Sequence, residues 1–148
     1  MKALVVYDSV FGNTEKVAQA MGQALEAQGE VHALRVSDVK PEHLNGLDAL
    51  IVGSPTHGGW FTEKIRDWVD AAPALEGLRI AAFDTRTASI WNRILPFGYA
   101  AQRIARSLEK KGGTLLASPE GFVVLGTKGP LKEGELERAA EWGREICS

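Results

Sequence analysis

The chain has 148 residues, 45% hydrophobic and 24% charged, which suits one globular domain with a core that needs no staples. A net charge of −2 and the lack of any Lys/Arg run give no electrostatic case for nucleic acid. Cys147 is the single cysteine, so no intrachain disulfide is possible; no apolar run approaches a membrane span and the N-terminus carries no signal-type segment. A cytoplasmic protein, monomeric or weakly self-associating, is the expectation.

Leu4–Tyr7 is a continuous apolar run rich in β-branched residues and reads as a strand buried on both faces. From Thr14 the pattern becomes helical, with Val17, Ala18, Met21, Ala24 and Leu25 recurring at a period near four and Gly29 as the expected C′ residue. Glu30–Val36 alternates as an edge strand does, which leaves His32 exposed, and Ser37–Asp48 reads as a short helical crossover with His43 on its solvent side. Ala49–Gly53 is the next buried strand. After it Thr62 caps a helix with Phe61, Ile65, Trp68, Val69 and Ala72 on its apolar side, stopped by Pro73. Leu78–Phe83 is a strand followed by a long loop from Asp84 to about Phe97. A helix then carries Ala101, Ile104, Ala105 and Leu108. Thr114–Ala117 and Phe122–Leu125 form one last strand broken by Ser118–Gly121, and Gly129-Pro130 marks a turn. A final helix from about Glu133 buries Leu136, Ala139, Ala140 and Ile146. Strands alternating with helices of this length predict an α/β, doubly wound three-layer sandwich: one domain over 1–148 with a five-stranded parallel sheet.

In such sheets ligands sit beyond the carboxyl ends of the strands. Three loops leave those ends with unusual composition: Ser9–Thr14, Ser54–Trp60 and Asp84–Phe97. The first feeds a helix N-terminus, where backbone N–H groups and the helix dipole converge and Ser and Thr hydroxyls can add donors, an arrangement that holds a phosphate without a lysine. The competing reading is an ordinary turn with Thr14 as N-cap.

Two nucleotide signatures are absent: the first loop has only Gly12 where G-x-G-x-x-G would be needed, and no G-x-x-x-x-G-K-[ST] occurs. A phospho-receiver is disfavoured because Gly53-Ser54-Pro55 has no Asp at the end of its strand. What remains is Val5-Val6-Tyr7-Asp8-Ser9-Val10-Phe11-Gly12-Asn13-Thr14 with Ala18 four residues on: a strand ending in an aromatic, a hydroxyl-bearing loop with Gly-Asn-Thr, then Ala on the helix. This resembles the flavodoxin-like family in its short-chain, FMN-binding form, and the resemblance extends over the whole chain. Val10 and Phe11 depart from it, standing where small or hydroxyl residues are common, so one phosphate-facing hydroxyl is lost.

The resemblance implies strand order 2-1-3-4-5 and FMN as cofactor, with no metal. It places the phosphate on Ser9, Gly12, Asn13 and Thr14, with Val10 and Phe11 also among the cofactor-binding residues, and the ring along Pro55, Thr56, His57, Gly58, Gly59 and Trp60. Gly58 or Gly59 would then supply a peptide able to turn towards reduced flavin, against the reading of a plain turn. Trp60 stacks on the ring or packs on Phe61, and Trp91 is the candidate for the opposite face or a surface residue. Thr85 and Arg86 complete the site, Arg86 near the pyrimidine end; Arg93 reads as solvated. His57 is a weak candidate for proton donation, because histidine titrates near neutrality, and is otherwise a solvated loop residue.

Relatives that shuttle electrons are generally strongly acidic, whereas this chain is nearly neutral and its third loop holds Arg86 and Arg93. A cation near the flavin would ease full reduction. The expected function is an electron carrier between a reductase and an acceptor, its partner another redox protein. An FMN-dependent NAD(P)H:quinone-type oxidoreductase acting on a small quinone-type acceptor is the alternative, and a regulatory domain the third reading.

Overall fold

The computed structural model describes residues 1–88 and 99–148. The first apolar run forms β1 (Lys2–Tyr7), and the chain continues through α1 (Asn13–Leu25), β2 (Glu30–Arg35), β3 (Ala49–Pro55), α2 (Glu63–Ala71), β4 (Arg79–Thr87), α3 (Ala100–Lys110), β5 (Thr114–Leu115), β6 (Glu120–Val124) and α4 (Glu135–Ile146). All named strand pairs are parallel, and the sheet runs β2-β1-β3-β4-β5 with β6 also on β4. The two segments expected as one broken strand thus occupy the same edge in sequence, β5 against Arg79–Ile80 and β6 against Phe83–Thr87.

Strand alternation decides which helices cover which face. Ala3, Val5, Tyr7, Ile51, Ala81 and Phe83 turn towards α1 and α4, meeting Val17, Met21, Leu25, Ala139 and Trp142. Leu4, Val6, Leu50, Val52, Ile80 and Ala82 face α2 and α3, against Ile65, Val69, Ile104 and Leu108. Large side chains here, such as Leu50, Ile80 and Phe83, are completely buried, each contributing about 1.5–3 kcal/mol of transfer free energy. The result is the three-layer doubly wound sandwich expected, in the strand order the resemblance implies.

Two boundaries and one buried position differ from expectation. The third loop begins later, because β4 continues through Asp84-Thr85-Arg86-Thr87 to pair with β6. The first helix loosens into a 3₁₀ turn over Glu26–Gln28, and Gly29 adopts φ 154 and ψ −157 rather than a left-handed C′ geometry. Leu136 is 39% exposed. The buried stripe of α4 is Glu135, Ala139, Trp142, Gly143 and Ile146, one residue out of phase with Leu136, and Ala140 is only partly covered. Trp68 lies against the core as its helical position suggested, and Trp142 is buried in the core on the other face of the sheet. His32 is exposed beside Glu30, and the His43 ring accepts the Lys40 N–H within the crossover. Among the described residues no helix is long and apolar enough to cross a membrane.

Candidate functional site

Parallel strands ending at one edge of the sheet deliver their loops to one place. At that edge a cleft of about 260 Å³ is lined by Val10, Phe11, Asn13 and Thr14 of the first loop and by Pro55, Thr56, His57 and Gly58 of the second. Thr85, Arg86 and Thr87 of β4, with Val124 and Thr127 beyond β6, close it. A larger recess of about 440 Å³ lies between Val39–Asn45 and α2, but apolar surface and aliphatic stems dominate its lining. It offers none of the converging hydroxyl and amide groups that mark a polar ligand site.

The first loop is built to leave donors free. Gly12 precedes α1 at φ +91, a left-handed conformation that favours glycine, and no side chain at that position caps the helix. Ser9 caps it from further back: its Oγ accepts the N–H groups of Gly12 (3.1 Å) and Glu15 (3.3 Å). Among the described residues the N–H groups of Val10, Phe11, Asn13 and Thr14 have no acceptor in the chain. They stand at the positive end of α1, where an anion would satisfy them. Thr14 is not the N-cap; it lies inside the first turn, its hydroxyl 2.7 Å from that of Thr85. Val10 and Phe11 turn outwards, 55% and 45% exposed.

Neighbouring elements hold the loop in place. Arg35 at the end of β2 donates to the Ser9 carbonyl (2.9 Å) and pairs with Asp8 (3.5 Å) and Glu15 (3.4 Å). The Asp8 carboxylate accepts the Ser9 N–H. Burial, together with donation of the Tyr7 hydroxyl to Glu15, pushes the Tyr7 phenol up. On the far side Gly129 has φ +102, and a Cβ there would stand 2.7 Å from the Asn13 amide oxygen. A side chain at 129 would therefore push Asn13 out of the wall it forms.

The second loop is a two-residue turn. His57 and Trp60 exchange both backbone hydrogen bonds (2.9 and 3.0 Å) around Gly58 and Gly59, whose φ values of +57 and +84 fit a type I′ turn. The Gly59 carbonyl accepts the Arg103 Nε–H at 2.8 Å, and the Arg103 guanidinium lies 3.9 Å over the Trp60 ring. The Gly58 carbonyl and Gly59 N–H have no partner among the described residues, so the peptide between these glycines is the one in the turn that can rotate without breaking a hydrogen bond. Trp60 is 55% exposed at the rim and meets Phe61 edge-on. His57 lines the cleft with its ring exposed, and no described group orients it.

Arg86 lines the cleft but its charge is committed. Its Nε and Nη2 donate to the two oxygens of Asp84 (2.7 and 2.8 Å), which is fully buried and also accepts the Ala101 N–H at the start of α3. The guanidinium covers the Tyr99 ring at 3.4 Å.

Of the expected site residues, the cleft gathers Val10, Phe11, Asn13, Thr14, Pro55, Thr56, His57, Gly58, Thr85 and Arg86. Ser9, Gly12, Gly59 and Trp60 shape or rim it rather than line it. Trp91, with Asn92 and Arg93, lies outside the described residues. Thr87, Val124 and Thr127 are lining residues the sequence reading missed. A glycine-bearing, hydroxyl-bearing loop after a strand, Gly126-Thr127-Lys128-Gly129, was the available signal. Among the described residues five threonines and no carboxylate line the cleft, a donor set suited to a phosphate-bearing ligand. The residues present therefore fit FMN.

Residues 5–143 match the family model described as Flavodoxin. A flavodoxin of Maridesulfovibrio salexigens is 31% identical over 154 residues, covering 99% of this chain and 97% of its own. One from Aquifex aeolicus is 28% identical over 163 residues, covering 99% and 85%. Among solved structures, a flavodoxin from the domain Archaea superposes with a TM-score of 0.82 at 28% identity, with 99% and 96% of the two chains covered.

Proposed function

With the chain a member of the flavodoxin family, we propose that it carries electrons between a reductase and an acceptor protein through bound FMN. The observation that carries this reading is the set of unpartnered N–H groups of Val10, Phe11, Asn13 and Thr14, which open onto a cleft whose described lining is rich in threonine and free of carboxylates. FMN when bound supplies the redox chemistry; the protein supplies binding, orientation and electrostatics. The N–H groups of Val10, Phe11, Asn13 and Thr14 hold the phosphate, and the Thr14–Thr85 hydroxyl pair forms the floor beneath it. Thr56, His57 and Gly58 form the wall along the ring, and the Gly58–Gly59 peptide is free to present either its carbonyl or its N–H.

The quinone-reducing alternative asks for a proton donor held at a fixed place. Among the described residues His57 is the one candidate lining the cleft, and no described group orients its ring, so nothing favours that alternative.

The test is a titration of apo-protein with FMN and with riboflavin, which lacks the phosphate, followed by flavin and tryptophan fluorescence. Charge-assisted hydrogen bonds contribute about 1.5–3 kcal/mol each, so FMN should bind at least ~100-fold more tightly than riboflavin. Thr14→Val should lower FMN affinity about tenfold, the loss of one such contact, and leave riboflavin affinity within about twofold. Equal affinity for the two flavins would refute the phosphate site. Turnover of NAD(P)H with a quinone well above that of free FMN would move the reading to the oxidoreductase.

A further inference from the structure

Five large apolar side chains among the described residues are exposed, and four of them stand on the loops around the cleft: Val10 (55%), Phe11 (45%), Trp60 (55%) and Leu125 (66%). Val10 and Phe11 line the cleft, Trp60 closes the His57–Trp60 turn, and Leu125 follows the lining residue Val124. Apolar side chains gathered at one mouth, rather than scattered singly, mark a contact surface.

The charge pattern says what kind. The chain has nineteen acidic residues, yet Ser9–Thr14, Ser54–Thr62, Thr85–Ala88 and Val124–Lys132 contain no Asp or Glu. The carboxylates that border the first three of these stretches are each matched by an arginine: Asp8 and Glu15 by Arg35, Glu63 by Arg66, Asp84 by Arg86. Exposed cations beside this edge are Lys128, next to the lining residue Thr127, and Lys132 at the end of the same stretch. Within these stretches a basic partner would find no carboxylate to pair with. A partner with carboxylates around an apolar contact would find both an apolar centre and cations at its edge.

We infer that the mouth of the cleft docks a redox protein whose own contact face is apolar at its centre and acidic at its rim. This rests on the electron-carrier reading and adds the chemistry of the partner. Docking there brings the partner's centre to the open side of the flavin site, where one electron passes, the donor being oxidised and the bound FMN reduced by the same electron.

The experiment uses the FMN-loaded protein and two probes, a dithionite-reduced acidic [2Fe–2S] ferredoxin as donor and basic ferric cytochrome c as acceptor from the photoreduced protein, followed by stopped-flow absorbance. The second-order rate with ferredoxin should fall at least about threefold between low and physiological ionic strength, as attraction is screened, and that with cytochrome c should rise or stay level. Lys128→Glu and Leu125→Ser, neither of which lines the cleft, should each slow the ferredoxin reaction about threefold or more without changing FMN affinity. Lys110→Glu, at the other end of α3, should leave it unchanged. A cytochrome c reaction that is the faster one at low salt and falls with added salt would overturn the inference, as would Lys128→Glu and Leu125→Ser rates equal to the parent's. So would binding to phosphatidylglycerol vesicles, or head-to-tail self-association by sedimentation, that these two variants abolish while ferredoxin rates hold. In each of these results FMN remains bound, so the cofactor reading survives; failure to bind FMN at all is the separate result that fails it.

Discussion

Asp84 and Arg86 offer the sharpest test of how the site is held. Asp84→Asn removes one of two carboxylate oxygens that receive three N–H donors, Arg86 Nε (2.7 Å), Arg86 Nη2 (2.8 Å) and Ala101 N (3.0 Å), at a position with no solvent exposure. Whichever way the amide turns, its NH₂ faces another donor. The variant leaves an arginine whose side chain is only 20% exposed without its counter-ion. Breaking a buried pair costs about 3–5 kcal/mol, and partial exposure of Arg86 places this one near 3. For a chain of this length each kcal/mol moves Tm by about 2–4 °C, so the apo-protein should melt roughly 6–12 °C lower.

Removing both charges should cost far less than removing one. Asp84→Leu combined with Arg86→Met, read by urea unfolding in a double-mutant cycle with the single substitutions, should return a coupling of at least about 2 kcal/mol. A redox titration of FMN-loaded Asp84→Asn adds a readout that packing alone would not move. With Arg86 no longer neutralised, the lower of the two one-electron potentials should rise, since a nearby cation favours the anionic reduced flavin. A stability loss under 1 kcal/mol, or single effects that add within 0.5 kcal/mol, would refute the claim that the pair acts as one neutral unit. Unchanged potentials would refute its electrostatic role.

Two further outcomes follow from other parts of the molecule. At Gly58, φ +57 tolerates Asn but penalises branched side chains, so Gly58→Asn should stay within about 0.5 kcal/mol of the parent in urea unfolding and Gly58→Val should lose about 1–2. The Glu135 carboxyl is held below the usual glutamate range, first by Arg138 donating to it and then, against the opposing effect of burial, by the Val123 N–H. A lowered folded pKa gives stability that is fully present above the unfolded value of about 4.3 and is lost as pH falls through the folded value. Glu135→Gln should therefore be less stable at neutral pH and show a shallower loss below about pH 4.5, measured by urea midpoints across pH.

The sheet was legible because its core strands are apolar on both faces and its helices carry one apolar stripe. Leu4–Tyr7 and Ala49–Gly53 admit no other reading. The extension of β4 to Thr87 was not legible, since Asp84-Thr85-Arg86-Thr87 is polar at every position. It is a strand because β6 pairs with it and because Asp84 and Arg86 satisfy each other across the interval of two. The composition of Gly126-Thr127-Lys128-Gly129 marks Thr127 as a loop residue, but the pairing of Val124 with Leu131 that accompanies its place at the cleft is not fixed by any local pattern. Leu136 misled for the opposite reason: a large apolar residue early in an amphipathic helix reads as buried, yet Glu135 takes the inward position because Arg138 and the Val123 N–H pair with its carboxylate there.

Arginines near a cleft look, in a sequence, like charge offered to a ligand, and here they are framework. Arg35 holds the Ser9 carbonyl, Arg86 the Asp84 carboxylate, Arg103 the Gly59 carbonyl, and Arg138 pairs with Glu120 and Glu135. Each ties a loop or strand end to an element distant in sequence or to a buried acid. Such ties give a loop a fixed shape at the cost of the cation's freedom to serve elsewhere. The expectation that two arginines of the third loop ease full reduction of the flavin therefore changes for Arg86, whose partner cancels its charge at close range. What the cleft offers an anion is instead a set of backbone N–H groups and threonine hydroxyls. These donors carry partial charges fixed by the fold, and on the proposed reading they would hold a phosphate without a full cation.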